Sequence, residues 1–225
     1  MISIIVPAYN EEENIESLTS EIKKARLKKY DLIIINDGSN DRTKETAEKI
    51  AKKERNIRII SHRKNLGLGA ALRTGFRAAK GDIIVTMDSD LTHPPSMISL
   101  LTDKLEQTKS DVCIASRYVR GGGMKNISAW RVLISKIANV FFSVVFRINA
   151  RDITSGFKAY KSEKIKAVKI ERTDFASQLE IMVGLKRMNA KFCEIPLILE
   201  TRKKGASKFR PIMYLKYLSV IKDLI

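Results

Sequence analysis

Residues 81–95 read GDIIVTMDSDLTHPP. An apolar, partly β-branched run over 83–87 ends on Asp88-Ser89-Asp90, and Pro94-Pro95 follow. A short, continuously apolar run closed by turn residues marks a strand covered on both faces. The proline pair suits the first turn of a helix, where a missing N–H costs nothing. The order is strand, acidic turn, helix.

That order repeats outward in both directions. Strands are predicted over 2–6, 32–35, 57–60, 83–87 and 112–115, with charged amphipathic helices near 12–24, 42–54, 69–79 and 96–107. Asn10 followed by Glu13 reads as a capping box ahead of the first helix. Such alternation predicts an α/β domain with a mostly parallel central sheet and helices on both faces. Ligands of these sheets bind beyond the carboxyl ends of the strands. The polar clusters fall there: Pro7-Ala8-Tyr9-Asn10-Glu11, Asn36-Asp37-Gly38-Ser39-Asn40-Asp41, and Asp88-Ser89-Asp90.

Turn chemistry accounts for any one of these clusters. It accounts less well for Asp88 and Asp90, because carboxylates that close repel unless a cation or proton offsets them. Both are candidate ligands for Mg2+ or Mn2+, a hard ion that takes oxygen donors and completes its shell from substrate phosphates.

The 225 residues suffice for one large domain with a real core. Forty-two Lys and Arg against 25 Asp and Glu give a formal net charge of +17. That balance favours polyanionic partners such as phosphorylated ligands, nucleic acid or an anionic membrane. Cys113 and Cys193 lie in apolar runs without metal-ligand spacing and read as buried free thiols of a reducing compartment. The N-terminal run carries no basic n-region and reads as a first strand, so a cytoplasmic location is expected.

The motifs together resemble a family. Residues 7–11, Asp37-Gly38-Ser39, the glycines of 65–75, Gly81-Asp82 and Met87-Asp88-Ser89-Asp90 are similar to the inverting glycosyltransferases of the GT-A type, family 2. His93-Pro94-Pro95, Ser116-Arg117-Tyr118, Ser155-Gly156-Phe157, Gln178 with Glu180, and the stretch from Arg202 to Lys208 resemble the dolichol-phosphate mannose synthases in particular. The resemblance implies a GT-A, Rossmann-like nucleotide-binding fold over 1–210. It implies transfer of mannose from GDP-mannose to dolichyl or polyprenyl phosphate, giving dolichyl β-D-mannosyl phosphate. Pro7, Tyr9, Glu11, Ile35 and Asp37 would form the nucleoside pocket. Asp88, Ser89 and Asp90 would meet the diphosphate and metal, and Arg117, Arg202 and Lys208 the phosphates. Asp88, Asp90 and Arg117 would be the catalytic residues. Two positions depart from the pattern: Asn36 stands where relatives often carry Asp, and Thr92 where mannose synthases usually have Gln.

Residues 130–148, WRVLISKIANVFFSVVFRI, place Arg131, Ser135, Asn139, Ser143 and Arg147 four apart, on one face of a helix otherwise apolar. At 1.5 Å per residue the segment spans roughly 28 Å, close to a bilayer core. Three basic residues, Arg131, Lys136 and Arg147, argue against a transmembrane span. A buried core helix is the plainer reading. An interfacial helix in the membrane plane is the preferred one, with Arg131 and Ser135 clasping a lipid phosphate. Residues 200–210 are basic and glycine-containing and read as a lid carrying Arg202 and Lys208. The amphipathic segment 211–225 docks on the domain, lies on an anionic membrane, or joins a membrane-anchoring subunit; the sequence leaves these open. The expected location is peripheral, on the cytoplasmic face of a membrane.

Other classes fit less well. A dinucleotide oxidoreductase needs G-x-G-x-x-G after its first strand, and none is there. A nucleic-acid-binding module would place aromatic residues among the basic ones, and the basic cluster lacks that interleaving. Transfer from a UDP-sugar such as UDP-glucose is the runner-up. Transfer to a saccharide would need a carboxylate base, for which Glu180 is the obvious candidate.

Overall fold

The computed structural model describes residues 1–200. The lid carrying Arg202 and Lys208 and the helix expected over 211–225 lie outside the described residues. The strands are β1 (Ile2–Ala8), β2 (Tyr30–Asn36), β3 (Ile57–Ser61), β4 (Ile83–Thr86), β5 (Val112–Ser116), β6 (Gly123–Met124), β7 (Lys158–Lys161), β8 (Phe192–Pro196) and β9 (Ile198–Leu199). The helices are α1 (Glu12–Lys24), α2 (Thr43–Lys53), α3 (Leu68–Ala78), α4 (Met97–Gln107), α5 (Ala129–Val145), α6 (Ser162–Ala167) and α7 (Ser177–Arg187).

Seven strands form one sheet in the order β3-β2-β1-β4-β7-β5-β8. Every pair in it is parallel except those of β7, which runs antiparallel to both β4 and β5. The five predicted strands and four predicted helices all form, with ends shifted by a residue or two. The chain steps outward from β1 through β2 to β3, then returns to place β4 on the other side of β1. That reversal opens a crevice at the carboxyl edge.

Local sequence explains the elements. In α1, Glu12 and Glu13 occupy the first turn, Lys23 and Lys24 the last, and Ile15, Leu18 and Ile22 face the sheet. Both charge placements suit the helix dipole. The capping box does not form: α1 starts after Glu11 without a side-chain cap. Asn10 is drawn instead into a left-handed conformation, φ 52°, and its Oδ1 accepts the Asn40 N–H at 2.9 Å. It ties the loop after β1 to the loop after β2. Apolar side chains from the two faces of the sheet fill two cores, one around Ile5, Ile33 and Leu179, the other around Ile4, Leu32 and Leu101.

Cys113 and Cys193 are free and face each other in register across β5 and β8; Cys113 is buried and Cys193 half-buried.

Candidate active site

Two groups of side chains stand at the carboxyl edge. Beyond β1 to β3 lies an open cleft of about 430 Å³, lined by residues including Tyr9, Asn36, Ser39, Lys44, Arg63 and Lys64. Its shape depends on Gly38. There φ is +67°, and a Cβ would lie 2.2 Å from the Lys64 carbonyl carbon, so no side chain fits. Asp37 anchors the facing loop. Its carboxylate accepts the Leu66 and Gly67 N–H groups at 2.9 and 2.8 Å and the His62 ring at 2.6 Å. The other His62 nitrogen lies 2.9 Å from the Thr74 hydroxyl. Asn36 is engaged at both ends of its amide, by the Ser39 N–H and the Ser61 hydroxyl.

Of the residues expected around a nucleoside, Tyr9 lines this cleft. Pro7 is half-buried within β1, in register with Ile35. Two of the others are buried. The Ile35 side chain is fully buried in the core and does not line the cleft. Asp37 is buried and works as a loop anchor. Glu11 is buried too, bonding Asn14 through its carboxylate and Thr43 through its N–H.

The second group lies beyond β4 and β5. At the acidic turn, Leu91 has φ +62°, uncommon for a branched side chain. Thr92 closes the turn, its N–H and hydroxyl both donating to Asp90 Oδ1, at 3.1 and 2.6 Å. The Asp88 N–H donates to His93 Nδ1 at 3.0 Å. The ring proton therefore sits on Nε2, which lies 3.7 Å from Asp88 Oδ2. His93 in turn stacks on Phe157, ring centroids 5.1 Å apart. The chain passes behind Asp88 at Gly156, where a Cβ would come within 3.0 Å of Asp88 Oδ1. The Asp88 side chain is 48% exposed, whereas Ser89 and Asp90 are buried in the turn. Among the described residues no three His, Cys, Asp or Glu side chains form a metal cage. Two carboxylates offering oxygen alone fit a hard divalent ion whose remaining ligands come from a diphosphate and water.

Arg117, at the end of β5, is gripped by Asp152, which is fully buried. Asp152 accepts the Arg117 N–H at 2.8 Å and both arms of its guanidinium at 2.7 and 2.5 Å. The Arg117 guanidinium also donates to Thr154 Oγ1 and lies over the Tyr118 ring. Residues 152–157 thus reach from Arg117 to Asp88 and bind the two halves of the group together.

Helix α5 packs against this segment through Ser135 and Asn139 of its polar seam, whereas Arg131 is exposed and Arg147, with φ 52°, lies exposed beyond the end of the helix at Val145. Asn139 Nδ2 donates to Thr154 Oγ1 at 3.0 Å, and its Oδ1 accepts the Thr154 N–H. Tyr118 donates its hydroxyl hydrogen to Ser135 Oγ at 2.7 Å. Trp130, Leu133, Ile137, Val140, Phe141 and Val144 are left exposed on the outer face. Ser135 therefore faces the Arg117–Tyr118 cluster, while Arg131, one turn earlier, is exposed. Among the described residues no helix is long and apolar enough to cross a membrane.

Glu180 takes no part in the cleft. Its two carboxylate oxygens accept the N–H groups of Glu171 and Arg172 at 3.0 and 3.1 Å, bracing the loop before α7. Sequence reading missed Asp152, Thr154, Asn139 as a bonding residue, and both histidines as supports. The run Asp152-Ile153-Thr154-Ser155-Gly156 carries a turn signature that marks it as a loop, and nothing in it announces Arg117 as a partner.

Comparison with known proteins places this geometry. The family described as Glycosyl transferase family 2 matches residues 3–168. The chain is similar to the dolichol-phosphate mannosyltransferase of Pyrococcus furiosus, 36% identical over 228 residues, covering 100% of this chain and 63% of that protein. It thus spans under two thirds of that relative's length. It is similar also to the polyprenol monophosphomannose synthase of Mycolicibacterium smegmatis, 30% identical over 212 residues, 91% of this chain and 79% of that one. Among solved structures, the glucosyl-3-phosphoglycerate synthase of Mycobacterium tuberculosis, in complex with Mn2+, UDP-glucose and phosphoglyceric acid, shares the fold. Its TM-score is 0.71 at 20% identity, covering 99% of this chain and 79% of that one. With the family's pattern matched from β1 to α6 and two relatives at 30% identity or above, the chain belongs to glycosyl transferase family 2.

Proposed function

We propose that the chain moves mannose, with inversion, from GDP-mannose to the phosphate of dolichol or another polyprenol at the cytoplasmic face of a membrane. The names of the two relatives support the reaction, and one observation carries the acceptor class. Helix α5 meets Tyr118 and Thr154 through Ser135 and Asn139 and turns its apolar side outward. A water-soluble acceptor gives no reason for such a face; a lipid phosphate does. Between Asp111 and Asp152 the sequence holds no carboxylate, while Arg117, Arg120, Lys125, Arg131, Lys136, Arg147 and Arg151 fall within it. Each such cation near an anionic leaflet contributes about 1 kcal/mol of attraction.

The chemistry needs little beyond placement. A lipid monophosphate has a second pKa of about 6 and is largely a dianion at neutral pH. Its oxygen attacks the anomeric carbon without a general base, while the bond from that carbon to the diphosphate oxygen breaks on the opposite face. Glu180, occupied by backbone N–H groups, is poorly placed to be the base a saccharide acceptor requires. Arg117, its fork held by Asp152, keeps a fixed positive charge at the carboxyl edge that would act on phosphate oxygens. Asp88 and Asp90 would hold Mg2+ or Mn2+, which supplies positive charge against the leaving diphosphate. Arg131, exposed in the first turn of α5, would meet the acceptor phosphate, with Ser135 one turn on.

The test is transfer of label into organic solvent. The protein is incubated with Mg2+ or Mn2+, a short polyprenyl phosphate, and labelled GDP-mannose, UDP-glucose or UDP-N-acetylglucosamine in parallel. Label from GDP-mannose is expected to move, and Asp90→Ala should cut the rate by about 10²-fold or more. Movement of label from a UDP-sugar alone refutes the donor assignment, and no movement from any donor refutes the reaction class.

A further inference from the structure

Lys158 belongs to no part of the machinery described above, yet it is completely buried. It opens β7, in register with Thr86 of β4 and Ile114 of β5. Its ammonium donates to the Ser155 carbonyl and, at 3.1 Å, to Gln178 Oε1 on α7. Neither partner carries a charge.

A buried ammonium without an anion in contact weakens a fold; an apolar side chain of similar length packs there at no such cost. Stability therefore gives no reason for this lysine, and its surroundings give another. The Ser155 carbonyl it holds precedes Gly156, whose own carbonyl accepts the Thr86 hydroxyl at 2.9 Å. Gly156 is the residue that abuts Asp88. The charges that act on the ammonium are Asp152 and Asp88, which favour it, and Arg117, which opposes it. Lys158 thus lies behind the acidic turn, among the groups assigned above to phosphate and metal.

We infer that Lys158 is a positioning residue and internal counter-charge of the diphosphate site: it clamps the Ser155–Gly156 turn against Asp88 and sets a positive charge behind the leaving group. This rests on the donor reading given above. Burial pushes the Lys158 ammonium down to about 7, so its charge is present in slightly acidic solution and is reinforced when a polyanion binds.

The experiment titrates GDP and UDP, each with Mg2+, into the wild type, Lys158→Met, Lys158→Gln and Lys158→Arg at pH 6.5, and records thermal unfolding of all four. Lys158→Met is expected to unfold no earlier than the wild type yet bind nucleoside diphosphate about tenfold more weakly. Lys158→Arg should return most of that affinity. Lys158→Gln, which keeps a donor without the charge, should fall with Met and provides the neutral variant if Met does not fold. Wild-type affinity in either neutral variant overturns the inference, as does a loss that Arg leaves unrepaired. A folded wild type that binds neither diphosphate overturns the donor reading itself, and the inference with it.

Discussion

Arg117 shows how a functional side chain is made rigid. The Asp152 carboxylate takes the guanidinium fork and the backbone N–H of the same residue, leaving the arginine one geometry. Removing one member of a buried pair strands the other's charge, at a cost of about 3–5 kcal/mol. Asp152→Ala is therefore expected to lose stability of that order in urea unfolding, and to lower transfer by about 10²-fold in whatever protein remains folded. Unchanged unfolding would remove Asp152 from this role. Asp88 and Asp90 were legible in the sequence because two carboxylates at a strand tip are electrostatically anomalous. Asp152 was not, because it stands alone in a turn-like run and its partner is 35 residues away. Asp37 was legible as a polar residue of the edge. Its work on the Leu66 and Gly67 N–H groups belongs to a loop that local reading does not bring near.

Among elements, the parallel strands were readable because burial on both faces leaves continuous apolar runs. β7 was not, since Lys158-Ala159-Tyr160-Lys161 is short and lysine-bounded. Helix α5 was readable as a helix with a polar seam, but composition alone could not say which side faced the protein. Hydrogen bonds from Asn139 to the 152–154 turn decide it. Replacing Trp130, Ile137 and Val144 together by Ser tests the outer face. These residues are 68%, 59% and 72% exposed, so unfolding should shift by no more than about 0.5 kcal/mol per site. Each apolar side chain inserted into lipid contributes about 1.5–3 kcal/mol. Co-sedimentation with phosphatidylserine vesicles should accordingly fall by about 10²-fold or more. Undiminished co-sedimentation would move the membrane contact elsewhere.

For the molecule as a whole, the buried lysine links stability to pH. Burial lowers the Lys158 ammonium from 10.5 to about 7, with Asp152 and Asp88 resisting that fall and Arg117 adding to it. Between those values the unfolded chain holds a proton that the folded chain has released, so stability rises with pH across the window. Below about 7 both states are protonated and the full cost of burial remains. The melting-temperature advantage expected of Lys158→Met should be largest near pH 6 and shrink steadily toward pH 10; a gap constant over that range would show that the site titrates otherwise. The same strand has a consequence for synthesis. β7 fills the gap between β4 and β5, and nothing closes that gap until residue 161 has been made. The half-sheet β3-β2-β1-β4 therefore emerges from the ribosome with the β4 flank bare, while β5 waits for a neighbour still to be translated. A long-range closure of this kind is slow, and a bare strand flank recruits wrong partners. The nascent chain is thus most prone to aggregate in the interval between translation of β4 and translation of β7.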